Sequence, residues 1–257
     1  MSFSDWGRFS TVRKIVLFSG GKDSLATLSL CREHYGNLEA VYVDTSAGFF
    51  EETVAYVKMI CERLNVPVAV LKPSDFFELV SKWGFPSVKA RWCCAELKLK
   101  PLKKYIEAIR EAKVLFTGLR ASESSKRRMW FEERVRKGHN PAIYYHPLFK
   151  CFSIAPIWDW SDRQVEHYLS SKKLPVNPAY RDNVHSLACP CVVFKTVKQI
   201  EAMRVKKPDL FNKFKELELK LKNKKWKPLR QGGKYLYFRD LEQQQLMDVW
   251  LEGEKVL

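Results

Sequence analysis

"KIVLFSGGKDSLATLSL", Lys14 to Leu30, decides the architecture. Lys14–Phe18 is apolar and β-branched after its lysine and reads as a buried strand. Ser24–Glu33 repeats apolar residues at helical spacing. Between the two stand Gly20 and Gly21, flanked by small hydroxyls and a single carboxylate. A bare turn there lets successive backbone N–H groups converge on an anion, and the helix N-terminus adds its dipole. Ser19 and Ser24 offer hydroxyls, Lys22 a point charge and Asp23 a carboxylate. The spacing is not the Walker A pattern, and a plain strand-to-helix turn with Ser24 near the cap would use the same residues.

Outward from this turn, apolar runs alternate with longer periodic segments. Ala40–Asp44, Val66–Leu71 and Val114–Gly118 read as further strands, and Phe50–Leu64 and Leu97–Ala112 as helices. Strands without a wet face, alternating with helices, predict an α/β fold with a doubly wound, mostly parallel sheet. Ligands of such sheets bind beyond the carboxyl ends of the strands. Ser19–Ser24, the segment after Asp44 and the segment after Gly118 therefore belong to one crevice. Near Ala155 the pattern changes. A short helix is predicted from Ser161, which caps it, followed by a proline-marked loop. A cysteine-bearing loop comes next, then a basic helical tail from about Thr196, with Gly232-Gly233 turning into a short strand. This divides the chain into a nucleotide-binding α/β part (1–160), a cysteine-loop region packed on it (161–195) and a basic extension (196–257).

The 257 residues suffice for a sizeable core. No apolar run approaches the about 18 residues that cross a bilayer, and "MSFSDWGRFSTVRK" has no signal-peptide pattern, so a cytoplasmic location is expected. In that compartment the seven cysteines are expected as free, metal-bound or catalytic thiols rather than disulfides. Lys plus Arg number 45 against 29 acids, a net charge of +16. Such an excess suits a polyanion, either nucleic acid or nucleotide; a lysine-rich surface alone would give the same balance.

Ser19-Gly20-Gly21-Lys22-Asp23-Ser24 after a strand resembles the PP-loop of the N-type ATP pyrophosphatases. "VDTSAGFFEET", "RWCCAELKLKPL", "TGLRASESSKRR" and "PIWDWSDRQVEHYL" followed by "LPVNPAYRDNVHSLACPC" resemble, in order, the phosphoadenosine phosphosulfate (PAPS) reductase family. The resemblance runs from Lys14 to about Phe194 and implies a five-stranded sheet of adenine nucleotide alpha hydrolase type. It implies ATP or PAPS at the loop residues Ser19 to Ser24, with magnesium accompanying ATP. Asp44 and Thr45 would contact the adenosine, and Gly118, Arg120, Glu123 and Ser124 would complete the nucleotide site. Lys22, Asp23, Arg120 and Arg127 are the candidate catalytic groups. Arginine forks suit phosphate or sulfate, and Arg128 stands beside them.

Cys93-Cys94 and Cys189-Pro190-Cys191 form a second constellation. Structural zinc uses cysteines with two to four residues between them, which this spacing fits poorly, whereas an iron–sulfur cluster accepts a vicinal pair at two corners. The family resemblance implies a [4Fe–4S] cluster on these four cysteines, with zinc or a redox-active thiol pair as alternatives. The family's late pair is Cys-x-x-Cys; here it is one residue shorter, which leaves Cys191 open as fourth ligand. Cys31 and Cys61 read as core, and Cys151 stays open.

Family reductases attack the sulfonucleotide with a cysteine near the C-terminus, and no cysteine follows Cys191 in this sequence. The same scaffold also serves enzymes that activate a substrate with ATP, release pyrophosphate and insert sulfur. The expected function is therefore ATP-dependent sulfur transfer to a nucleic acid such as tRNA or DNA, bound through the basic tail, with a sulfur or electron donor protein. Sulfonucleotide reduction to sulfite by an external thiol or ferredoxin is the second reading, with Cys151 as substitute nucleophile only if it reaches the crevice. A nucleotide-binding regulator without turnover is the third.

Overall fold

The computed structural model describes residues 7, 9–45, 51–87, 90–182, 197–221, 229–231 and 234–236. They divide into two compact units. The first is built on a sheet whose strands are β1 (Arg13–Leu17), β2 (Glu39–Val43), β3 (Val68–Leu71), β4 (Lys113–Phe116), β5 (Ile143–His146) and β6 (Cys151–Ile154). Their spatial order is β3-β2-β1-β4-β6-β5. β1, β2, β3, β4 and β6 run parallel, so the five-stranded parallel reading holds for these. The correction is a sixth strand: β5 pairs antiparallel with β6 and closes one edge. It is joined to β6 by a hairpin too short for the helical crossover a parallel neighbour requires.

Both faces of the sheet are buried. Val16, Phe18, Ala40, Tyr42, Val114 and Phe116 share one core with helices α1 (Lys22–His34), α2 (Glu51–Arg63) and α6 (Asp162–Ser171). Their alternating neighbours Ile15, Val41 and Leu115 share the other with Leu102 and Ile106 of α4 (Lys100–Ala108). The period-two alternation of each strand thus feeds two apolar layers, which is why the strands read as continuously hydrophobic. Ser161 caps α6 as the sequence suggested, its hydroxyl accepting the Gln164 N–H while the Gln164 side chain accepts the Ser161 N–H. Helix α5 (Ser125–Arg136) lies between β4 and β5 and buries only Phe131.

The second unit holds α3 (Phe76–Trp83) and the C-terminal helices α7 (Val197–Lys206) and α8 (Pro208–Lys220). Phe214 of α8 stacks among Phe76, Phe77 and Phe85, and Trp92 lies against Phe76 and Trp83. β7 (Leu229–Gln231) and β8 (Lys234–Leu236) pair antiparallel, and the expected turn at Gly232-Gly233 lies outside the described residues. No described helix is long and apolar enough to cross a membrane.

Candidate functional site at the carboxyl edge of the sheet

The glycine turn joins β1 to α1, whose N-cap is Gly21 without any side-chain cap. The first-turn N–H groups of α1 have no partner within the helix and point out of its end. Gly20 adopts φ +77°, a left-handed conformation open to glycine. A side chain there would also strike Thr53 at 2.9 Å and Asn177 at 3.3 Å. Gly118, at the end of β4, meets the same turn from the other side. A Cβ on it would lie 2.8 Å from the backbone carbon of Asp23 and the backbone nitrogen of Ser24. Gly118 therefore marks close approach of backbone to backbone, and Gly20 close approach of the turn to the side chains of Thr53, Val57 and Asn177.

The loop's side chains are engaged with one another and with α6. Ser19 and Ser24 hydroxyls lie 3.0 Å apart, and the Ser24 hydroxyl donates to the Gly21 carbonyl at 2.9 Å. The Lys22 ammonium donates to Glu166 at 2.9 Å, which raises its pKa against the opposing effect of burial. Arg120 is 2% exposed. Its guanidinium reaches Asp23 at 2.9 Å and Asp162 at 2.7 Å, and donates to the Trp160 carbonyl at 3.1 Å and Ser122 at 2.7 Å. Burial lowers the Arg120 pKa, but the hydrogen bonds to Asp162 and Asp23 outweigh it and hold the group above its ordinary value. The residue read as a phosphate fork from sequence thus lies where it braces the loop against the start of α6.

Glu123 accepts the Arg120 backbone N–H at 3.1 Å and pairs with Arg127. Ser124 caps α5 through the Arg127 N–H. Arg127 is half-exposed, and burial lowers its pKa against the opposing charge of Asp23. Asp44 follows β2, its backbone N–H donating to the Leu71 carbonyl, and Thr45 is buried.

Residues that the sequence reading passed over complete the loop's support. Asn177 donates to the Gly20 carbonyl and to Thr53, both at 3.3 Å. The Tyr180 hydroxyl accepts the Lys22 backbone N–H at 3.3 Å. Glu166 and Asp162 lie one helical turn apart on α6 and hold Lys22 and Arg120. The only signal for these was "PVNPAY" and the Asp-x-x-x-Glu spacing, neither of which names a partner.

Cys151 opens β6, at the amino edge of the parallel sheet, and is buried beside Ile106 and Leu115. Burial pushes its thiol pKa up, as it does for Cys31 and Cys61, both inside helices. Cys151 therefore does not reach the crevice. Cys93 is buried and Cys94 exposed, neither in a disulfide, at the head of the helical turn Cys94–Leu99. The indole N–H of Trp92, just before them, is buried with no hydrogen-bond partner among the described residues. Two vicinal thiols beside a spare N–H donor suit the chemistry of a sulfur-rich centre. Cys189 and Cys191 lie outside the described residues, among which no three His, Cys, Asp or Glu gather as a metal group.

Residues 13–193 match the family model described as the phosphoadenosine phosphosulfate reductase domain. An uncharacterized protein of Methanocaldococcus jannaschii is 34% identical over 192 residues, 73% of this chain and 38% of that protein. The adenosine 5'-phosphosulfate reductase of Lysinibacillus sphaericus is 29% identical over 178 residues, 66% of this chain and 69% of the relative. The chain spans less than half the length of its two M. jannaschii relatives. Among solved structures, the phosphoadenylyl-sulfate reductase from Candida auris superposes with a TM-score of 0.53 at 18% identity, covering 72% of this chain and 87% of that one. That likeness supports the fold, and the match over residues 13–193 makes the chain a member of the phosphoadenosine phosphosulfate reductase family of PP-loop enzymes.

Proposed function

We propose that the chain binds an adenine nucleotide at the Ser19–Ser24 loop and uses ATP to drive sulfur transfer to a nucleic acid, releasing pyrophosphate. The observation that carries the nucleotide is the uncapped N-terminus of α1 beneath Gly20 and Gly21. The backbone amides of Gly21, Asp23 and Ser24 would take the phosphates, with Ser19 and Ser24 as hydroxyl donors and magnesium arriving with ATP. Lys22 would leave Glu166 for the phosphate chain, and Arg127 would meet charge on the departing pyrophosphate. Asp44 and Thr45 would follow the adenosine, and Gly118, Glu123 and Ser124 would complete the nucleotide site. Arg120 acts through Asp23, as a positioning residue. The acceptor's oxygen attacks the α-phosphate, the α–β bond breaks, and a donor's sulfide then displaces AMP.

Transfer is preferred over self-contained reduction because the described thiols of this unit, Cys31, Cys61 and Cys151, are buried away from the carboxyl edge. Cys93 and Cys94, with Cys189 and Cys191, would hold a [4Fe–4S] cluster, which supplies electron or sulfur carriage when bound. Reduction of a sulfonucleotide by an external thiol is the second reading, favoured by relatives whose names state that activity. Anaerobically purified protein should release pyrophosphate from MgATP in the presence of tRNA or DNA, with binding that weakens steeply as salt rises. Sulfite from PAPS or adenosine phosphosulfate plus dithiothreitol, without pyrophosphate from ATP, would replace transfer by reduction.

A further inference from the structure

Tyr180 does more than pack against the loop. Its hydroxyl oxygen accepts the N–H of Lys22, the first residue of α1, at 3.3 Å. The same oxygen lies 3.1 Å from where a Cβ on Gly21 would stand. The phenol therefore stands directly over the two residues that begin the helix. Its backbone is fixed by the turn Pro178–Asp182, which Asn177 organises. The Asn177 side-chain oxygen accepts the Ala179 N–H at 3.0 Å, and its carbonyl accepts the Tyr180 N–H at 3.1 Å. The Asn177 amide meanwhile holds the Gly20 carbonyl. One turn thus fixes two successive peptides of the loop, one by its carbonyl and one by its N–H.

A phenol that accepts from an amide keeps its own proton to give. Burial holds Tyr180 above the ordinary tyrosine pKa, so at neutral pH the proton stays on. Lys22 N–H feeding the phenol oxygen polarises the O–H and strengthens it as a donor. We propose that Tyr180 is a phosphate-binding residue. It relays the first amide of α1 outward, so that its O–H joins the loop amides in holding a nucleotide phosphate. The inference rests on the nucleotide reading of the loop.

The test is calorimetric titration of the full chain and of Tyr180→Phe with MgATP, PAPS and adenosine. Phenylalanine keeps the ring and removes only the hydroxyl. Loss of a hydrogen bond to a charged phosphate should weaken ATP and PAPS binding about tenfold or more, while adenosine binding stays unchanged. Equal or tighter binding of the phosphorylated ligands by Tyr180→Phe would overturn the relay; tighter binding would mean that the hydroxyl competes for the phosphate position. Equal weakening for adenosine would assign Tyr180 to packing instead. If the unaltered chain bound neither ATP nor PAPS, the nucleotide reading itself would fail, separately from the role of Tyr180. Asn177→Asp provides a second arm. It keeps the acceptor for Ala179 but loses the donor to Gly20, and should weaken ATP binding while leaving adenosine untouched.

Discussion

Replacing Gly118 by alanine tests the contact on which the loop's placement rests. An added Cβ would stand 2.8 Å from the Asp23 backbone carbon and the Ser24 nitrogen and 2.9 Å from the Asp23 oxygen. All three are backbone atoms at the head of α1, so no side chain can rotate aside. Ordinary contact begins near 3.4 Å, so β4 and α1 must part by about 0.6 Å. Overpacking of this kind costs about 1–3 kcal/mol. For a folded unit of this size that lowers the melting temperature by about 2–12 °C. The same shift moves the Asp23 and Ser24 amides off the phosphate, and losing the equivalent of one charged hydrogen bond weakens ATP binding about tenfold. The control is Gly36→Ala, where a Cβ would meet nothing within 4 Å. Circular-dichroism melting and calorimetry on both variants read the two effects. If Gly118→Ala melts and binds ATP like Gly36→Ala, the close approach of β4 to α1 is wrong.

Further outcomes are expected elsewhere. Glu166→Gln removes the carboxylate that holds Lys22; since a partly exposed ion pair is worth about 0.2–1 kcal/mol, ATP should bind tighter by up to about fivefold, and weaker binding would contradict a competing pair. Cys151→Ser should leave turnover within about twofold in either the pyrophosphate or the sulfite assay, because the residue sits at the amino edge; abolished turnover without loss of stability would return it to the chemistry. The Arg120 hydrogen bond holds the Asp162 carboxyl below its ordinary value. A depressed carboxylate contributes stability above its unfolded pKa, near 3.8, that is lost as pH falls through its folded value. Asp162→Asn should therefore show a flatter acid limb when melting temperature is followed from neutral pH down to about pH 3; an unchanged limb would remove Asp162 from the linkage.

The parallel strands β1, β2 and β4 were legible because their residues alternate between two buried layers and read as continuous apolar runs. What escaped was short or spread over long separations. Ile143–His146 and Cys151–Ile154 are four residues each, and half of the latter's apolar pattern is lost where Phe152 turns outward, 51% exposed. Helix α5 reads "SKRRMWFEERVR", and a helix that buries only Phe131 has no apolar stripe to betray it. At the site, residue types were read correctly as charged, but their partners were not. Arg120 looks like an anion fork until Asp23 and Asp162, both distant in sequence, are seen to claim it. Charge complementarity of this sort is carried by topology, and a single sequence lists the charges without saying which ones meet.

The span between the loop and its supports has a consequence for the order of assembly. Gly20 is held by Asn177, 157 positions later, and Lys22 by Tyr180, 158 positions later. Closing so long a segment is entropically costly and comes late. A growing chain can form the strand and helix around the glycines early, yet the turn stays unbraced until residues 162–180 have emerged and docked. Nucleotide binding should therefore appear abruptly with chain length, and a fragment ending at residue 160 should carry the whole loop motif and still bind poorly.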